Sequence, residues 1–252
     1  MSLAVDGYVA VLTIDRAPHN HVSVELMRDL ADALEAIDGE RELRAVVLQA
    51  AGKNFCAGAD LVSPEGVGGQ GMDGINPLYT QAVRLFSAEK PIVAAVQGAA
   101  VGAGLGLALV ADFRVASPDA RFTANFVKLG FHPGFGITYT LPRLIGPTRA
   151  ELMCLTGRRV KAEDGLAWGL VDEVAPLEDL RAAALRLAAE IAENAPLALV
   201  STRKTLRGDL AAAVRAQTDI EFREQSILRA TEDFKEGVRS VAERRAGNFR
   251  GF

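Results

Sequence analysis

A chain of 252 residues with 49% hydrophobic and 24% charged residues is ordinary for a globular protein, and it is long enough to bury a sizeable core. Its formal net charge of -4, from 28 basic and 32 acidic residues, lacks the basic excess typical of nucleic-acid binders, so no nucleic-acid partner is expected. Two cysteines, Cys56 and Cys154, give neither a disulfide framework nor a CxxC pair, which suits a reducing, cytoplasmic setting, and an opening that meets Asp6 without a basic n-region is not a signal peptide.

In chain order, YVAVLTID (8–15) reads as a strand, apolar and β-branched. RAPHNHVS (16–23) is a loop with turn-forming Pro18 and Asn20. Ser23 is placed to cap a helix whose apolar face is Leu26, Leu30, Leu34 and Ile37. RAVVLQA (44–50) reads as a buried strand, followed by the loop AGKNFCAGADL and a glycine-rich stretch over 62–77 expected to be mobile. A helix near 78–88 and a strand over 91–97 come next, then a glycine-laced segment and the strand FRVAS (113–117). Helices fit 137–145, 147–155 and 161–169, with a short strand over 170–174. From Leu177 onward the pattern is almost wholly helical, broken at Pro196 and Gly208. Strands alternating with helices, then helices alone, predict an α/β core with a helical C-terminal part.

The segment PIVAAVQGAAVGAGLGLALVAD (91–112) is long enough as a helix to span a bilayer, but Pro91, Gln97 and four glycines argue against that, so no membrane partner is expected. It is not a phosphate loop either: GxxxxGK[ST] is absent, and GxGxxG would need glycine where Leu107 stands. More telling is a pair of similar junctions, where strand 44–50 leads into FCAGADL and strand 91–97 leads into GAAVGAGLGL. Small side chains let backbone N–H groups approach a ligand, and two such groups converging on one point make an oxyanion hole. The same small residues also suit tight strand–helix packing, and spacing alone leaves both open.

With RAPHNHVS (16–23), GKNFCAGADL (52–61), PIVAAVQGAAVGAGLGLALVADFRVAS (91–117), ARFTANFVKLGFHPGFG (120–136), LTGRRVKAEDGLAWGLVDEV (155–174) and TEDFKEGVRSVAERRAGNFRG (231–251), the chain resembles the crotonase superfamily, the enoyl-CoA hydratase/isomerase family. The resemblance implies a ClpP/crotonase spiral of ββα units over 1–195 and a C-terminal helical region over 196–252 that packs in a homotrimer or a hexamer built as a dimer of trimers. It implies an acyl-CoA substrate, with coenzyme A arriving as part of that substrate and no separate cofactor. By motif position the oxyanion donors are the N–H groups of Ala59 and Ala103. The CoA moiety then lies along the loops holding His19, His21, Ala57, Asp60 and Leu61, with Arg244 reaching a CoA phosphate.

Hydratases of this family use two glutamates, and the matching positions here hold Gly106 and Phe126. Two carboxylates would add water across a double bond by general acid–base catalysis, so the usual hydratase route is not expected. His132 in GFHPGFG is the leading candidate for moving a proton, beside an apolar pocket suggested by Phe126, Phe131 and Phe135. Glu65 and Asp73 sit in the glycine-rich stretch, where either would be able to close over a substrate. Cys56 reads as a small buried hydrophobe, and no His/Cys/Asp cluster has metal spacing. Two classes of function stay open: an enzyme that stabilises a thioester enolate, as isomerase or hydrolase, and an acyl-CoA-binding homologue without catalysis.

Overall fold

The structure, a computed structural model, describes residues 1–60 and 76–252. Its core is a six-stranded sheet of β1 (Ser2–Asp6), β2 (Val9–Ile14), β3 (Ala45–Ala50), β4 (Ile92–Val96), β6 (Phe113–Ala116) and β9 (Glu173–Val174), in the order β1-β2-β3-β4-β6-β9. All neighbours pair in parallel except β1, which runs antiparallel to β2 at the edge. The inner strands β2, β3 and β4 are mostly apolar because both faces are covered. Leu12, Val46, Leu48, Ile92 and Ala94 face the larger core with α1 (Val24–Gly39) and α2 (Pro77–Phe86). Their alternates Ala45, Val47, Val93 and Ala95 face α7 (Leu180–Ala192), whose Ala183, Ala184 and Ala188 allow close approach.

The α1 helix follows its sequence signals: Ser23 accepts a hydrogen bond from the Leu26 N–H, and Leu26, Leu30, Leu34 and Ile37 are buried. Three further helices lie where the pattern puts them: α4 (Ile137–Ile145), α5 (Pro147–Thr156) and α6 (Ala162–Trp168). The 91–112 segment is β4, then the short strand β5 (Ala99–Val101), then α3 (Ala103–Ala108). Among the described residues no helix is long and apolar enough to cross a membrane. A second sheet joins β5 to β7 (Arg121–Thr123) and β8 (Arg159–Lys161) in the order β5-β7-β8.

The chain ends in α8 (Pro196–Arg207), α9 (Leu210–Leu228) and α10 (Glu232–Ala242). The α9 helix packs against α2 and α4, and α10 packs against the 3₁₀ turn Phe126–Leu129. Asp112, just before β6, ties α8 to the sheet. Its carboxylate accepts from Arg203 Nε at 3.0 and 3.1 Å, from Arg207 Nε at 3.0 Å and from the Ile92 N–H at 2.8 Å. The three side chains are 16%, 8% and 14% exposed, for Asp112, Arg203 and Arg207 respectively. Removing one partner of such a buried pair strands the other charges without compensation. Asp112→Ala is therefore expected to lower unfolding free energy by about 3–5 kcal/mol in urea titrations. A loss under about 1 kcal/mol would mean the cluster behaves like an exposed ion pair.

Candidate active site

Three loop segments meet at the C-terminal ends of β2, β3 and β4. Asn20, fully buried with φ 51, locks the first to the second: its Oδ1 accepts from the Arg16 N–H, and its Nδ2 donates to the carbonyls of Ala51 and Asn54. Further along, the Ala57 N–H donates to the His19 carbonyl and the Val22 N–H to the Gly58 carbonyl, both at 2.9 Å. The second segment lies against the third through Phe55 N–H to Gln97 O (2.8 Å), Cys56 N–H to Ala99 O (2.9 Å) and Val101 N–H to Cys56 O (3.1 Å).

This approach explains the small residues. Gly58 has φ +99, and a Cβ there would lie 2.8 Å from the Val101 carbonyl oxygen. A Cβ on Gly104 would overlap the Cys56 carbonyl. Ala103 is the first residue of α3, so its N–H has no acceptor within the helix. Ala59 makes a parallel bridge with Val22 that uses the Gly58 carbonyl, which turns Ala59's own N–H away from Val22.

Ala59 and Ala103 line the same cavity, of about 390 Å³. Ala57, His21 and Asp60 line it as well, as do Phe126 and Phe131, so these residues singled out from sequence come together. Leu78, Val101, Leu129 and Phe135 extend its apolar wall. His19 is exposed and does not line the cavity; its ring meets His21 edge-on with centroids 5.2 Å apart. Arg244 is also exposed, two residues beyond Ala242 in the lining. Leu61, Glu65 and Asp73 lie outside the described residues.

His132 does not join these residues. It is absent from the cavity lining, although its neighbours Phe131, Gly134 and Phe135 are present. Its Nδ1 sits 2.7 Å from the Pro133 carbonyl oxygen, and its own carbonyl accepts from Gln225 Nε2 at 2.9 Å.

Several lining side chains carried no sequence signal. Tyr79 on α2 donates its hydroxyl to Gln225 Oε1 on α9 at 2.8 Å, and burial raises its phenol far above the ordinary value, so it stays protonated. Asn76, Asn125 and Arg229 add polar groups, and the Arg229 guanidinium lies 5.1 Å from the Phe131 ring centroid. Cys56 is fully buried and its thiol is pushed up to about 12, which keeps it un-ionised, as its sequence context suggests. No group of His, Cys, Asp and Glu among the described residues is arranged to hold a metal ion.

Gly106, on the inner side of α3, is closed off: a Cβ there would lie 2.6–2.7 Å from Phe135 side-chain atoms. Phe135 is fixed with φ 66 and is 1% exposed. Behind it, Glu221 of α9 takes the place of a local cap for α4, accepting from the N–H groups of Gly136 and Thr138 and from the Thr138 hydroxyl.

The sequence profile of the enoyl-CoA hydratase/isomerase family matches residues 5–251, which include both of these loops. The chain belongs to the enoyl-CoA hydratase/isomerase family, and its fold is the crotonase fold. Among its relatives is a probable enoyl-CoA hydratase of Mycobacterium tuberculosis, 42% identical over 207 residues that span 81% of this chain and 80% of that one. A 1,2-epoxyphenylacetyl-CoA isomerase of Escherichia coli is 32% identical, spanning 98% of this chain and 97% of its own. The crystal structure of an enoyl-CoA hydratase/isomerase from Pseudoalteromonas atlantica superposes with a TM-score of 0.88 at 33% identity, covering 99% of both chains.

Burial pushes the Glu221 carboxyl from 4.5 up to about 7, against hydrogen bonds that favour its ionised form. A folded value above the unfolded one means the proton stabilises the fold at low pH. That contribution is complete below the unfolded value and is lost as pH rises through the folded value, here from 4.5 to about 7. Glu221→Gln removes the titration and adds a pH-independent cost, because an amide N–H₂ replaces one acceptor. The wild type is expected to lose stability relative to this variant between about pH 4.5 and 7, by at most ~1.4 kcal/mol per pH unit. Melting curves that stay parallel across this range would contradict the shift.

Proposed function

We propose that this chain binds an acyl-CoA thioester with its carbonyl oxygen between the N–H groups of Ala59 and Ala103, and stabilises the enolate formed when the α-proton leaves. The observation that carries this is the placement of Ala59 and Ala103 on two interlocked loops that line one apolar cavity. Backbone donors of this kind need no reorganisation as negative charge develops, and each is typically worth about 2.7–4 kcal/mol in the transition state. The acyl chain occupies the wall of Phe126, Phe131, Phe135 and Leu129, and the CoA moiety follows the His21–Ala57–Asp60 side of the mouth, with Arg244 available to its phosphates. Relatives named as an epoxyphenylacetyl-CoA isomerase and an enoyl-CoA hydratase support an acyl-CoA substrate.

Isomerisation or another enolate reaction fits this cavity better than hydration. At the two positions where the family resemblance places glutamates, Gly106 is packed against Phe135 and Phe126 is part of the apolar wall. Among the described lining side chains, His21 carries the imidazole and Asp60 the carboxylate. The same two replacements also support the second reading, an acyl-CoA-binding homologue without chemistry. C-terminal helices that pack in a trimer and a cytoplasmic setting complete the proposal.

Exchange of acyl-CoA α-protons with deuterated solvent separates the readings. The first expects exchange in the wild type, and His132→Ala should keep it within about 2-fold, the spread of a substitution away from the site. Hydration of crotonyl-CoA should run about 10²–10⁴-fold more slowly than exchange, the factor a positioned acid or base contributes. Tight acyl-CoA binding with no exchange would establish the second reading, and loss of exchange in His132→Ala would restore that histidine to the site.

A further inference from the structure

The Ala59 N–H belongs to the same peptide unit as the Gly58 carbonyl. That carbonyl accepts two hydrogen bonds, from the Val22 N–H at 2.9 Å and from the His21 ring through Nδ1 at 3.2 Å. A carbonyl oxygen can only accept, so the bond requires the proton on Nδ1 and fixes the tautomer, leaving Nε2 as the lone-pair nitrogen of the neutral ring. Drawing electron density onto a peptide oxygen increases the double-bond character of its C–N bond and makes the N–H at the other end a better donor.

The second loop has its own version of this arrangement. The Ala103 N–H shares a peptide with the Gly102 carbonyl, which accepts the Gly106 N–H at 3.1 Å as the first bond of α3. Ala103 is thus polarised by its helix. Ala59 is followed by no described helix, and a side chain supplies the second bond instead. His21 is positioned for this by Asn20, whose three hydrogen bonds hold the preceding turn, and by the Val22–Ala59 bridge on its other side.

We infer that His21 is a positioning residue that acts through the Gly58–Ala59 peptide: its Nδ1–H orients that peptide plane and strengthens Ala59 as the first oxyanion donor. This rests on the acyl-CoA reading above for its consequence in catalysis, and on the bond itself for its physical core. A donor of this type is worth ~10²–10³ in rate, and a neighbouring hydrogen bond changes its strength by ~10–30%, so the expected loss of turnover is about 2- to 8-fold.

The test uses the full-length protein labelled with [1-¹³C]glycine and [¹⁵N]alanine, which selects Gly–Ala peptides alone. The sequence has three of these, at 58–59, 98–99 and 102–103, so both donor peptides and one control are observed together. Four proteins are compared: wild type, His21→Ala, His21→Gln and His21→Asn. An asparagine amide nitrogen falls near the Nδ1 position, whereas that of glutamine falls near Nε2.

The Ala59 ¹⁵N resonance should move upfield in His21→Ala and His21→Gln and return in His21→Asn, while Ala99 and Ala103 stay in place. Turnover in α-proton exchange should fall by the stated factor in the first two variants and recover in the third, whatever KM does. An Ala59 resonance that is the same in wild type and His21→Ala would overturn the proposal. So would a rise in KM with kcat unchanged, which would make His21 a ligand contact only. If the wild type binds no acyl-CoA, the functional reading fails on its own, and the Ala59 resonance still decides whether His21 polarises that peptide.

Discussion

The site depends on one backbone-to-backbone contact, the seating of residues 54–59 against residues 97–104. Phe55, Cys56 and Val101 supply its three hydrogen bonds, and Gly58 and Gly104 supply the absence of side chain that lets the strands close. Everything useful in the cavity follows from it. The contact sets where Ala59 and Ala103 stand, and because both proposed donors belong to the backbone, neither needs a rotamer held in place. It also explains why side chains at these junctions are small for two reasons at once. Packing requires it, and so does the proposed contact of a thioester with main chain.

The rest of the cavity is built from chain that is distant in sequence. Tyr79 on α2 and Gln225 on α9 meet through one hydrogen bond, and Gln225 also holds the His132 carbonyl, so the turn carrying Phe131 and Phe135 is tied to both helices. Glu221, one helical turn before Gln225, fixes the start of α4 from the same face of α9. The wall that would contact an acyl chain is therefore anchored from behind by buried polar groups, and the Phe135 ring fills the space beside Gly106. Under the proposed reading, the thioester carbonyl lies at the mouth beside Ala59 and Ala103, and the acyl chain lies against the apolar wall behind it.

Much of this was legible in the sequence, for identifiable reasons. The α1 helix announced itself through Ser23 and a regular apolar stripe, and the parallel strands through runs of valine, leucine and alanine. The two junctions FCAGADL and GAAVGAGLGL showed where backbone approaches backbone. The β1 strand was missed because every one of its residues is exposed, so it has no buried face to create a pattern. The strands β5, β7 and β8 have three residues each, too few to show alternation. Tyr79, Gln225 and Glu221 were missed because their meaning arises only when α9 folds back over α2 and α4. His132 stands between Phe131 and Phe135 in sequence, yet those two rings line the cavity and His132 does not, a difference that sequence order cannot show.

The most direct test of the central claim is isotope-edited infrared spectroscopy of butyryl-CoA carrying ¹³C at its thioester carbonyl, bound to the wild-type protein. Two strong donors on one oxygen weaken the C=O bond. The band of the bound thioester should therefore lie at clearly lower wavenumber than in solution. A bound thioester whose carbonyl band stays at its solution position would show that Ala59 and Ala103 do not hold it, and would contradict the assignment of this cavity as an oxyanion site.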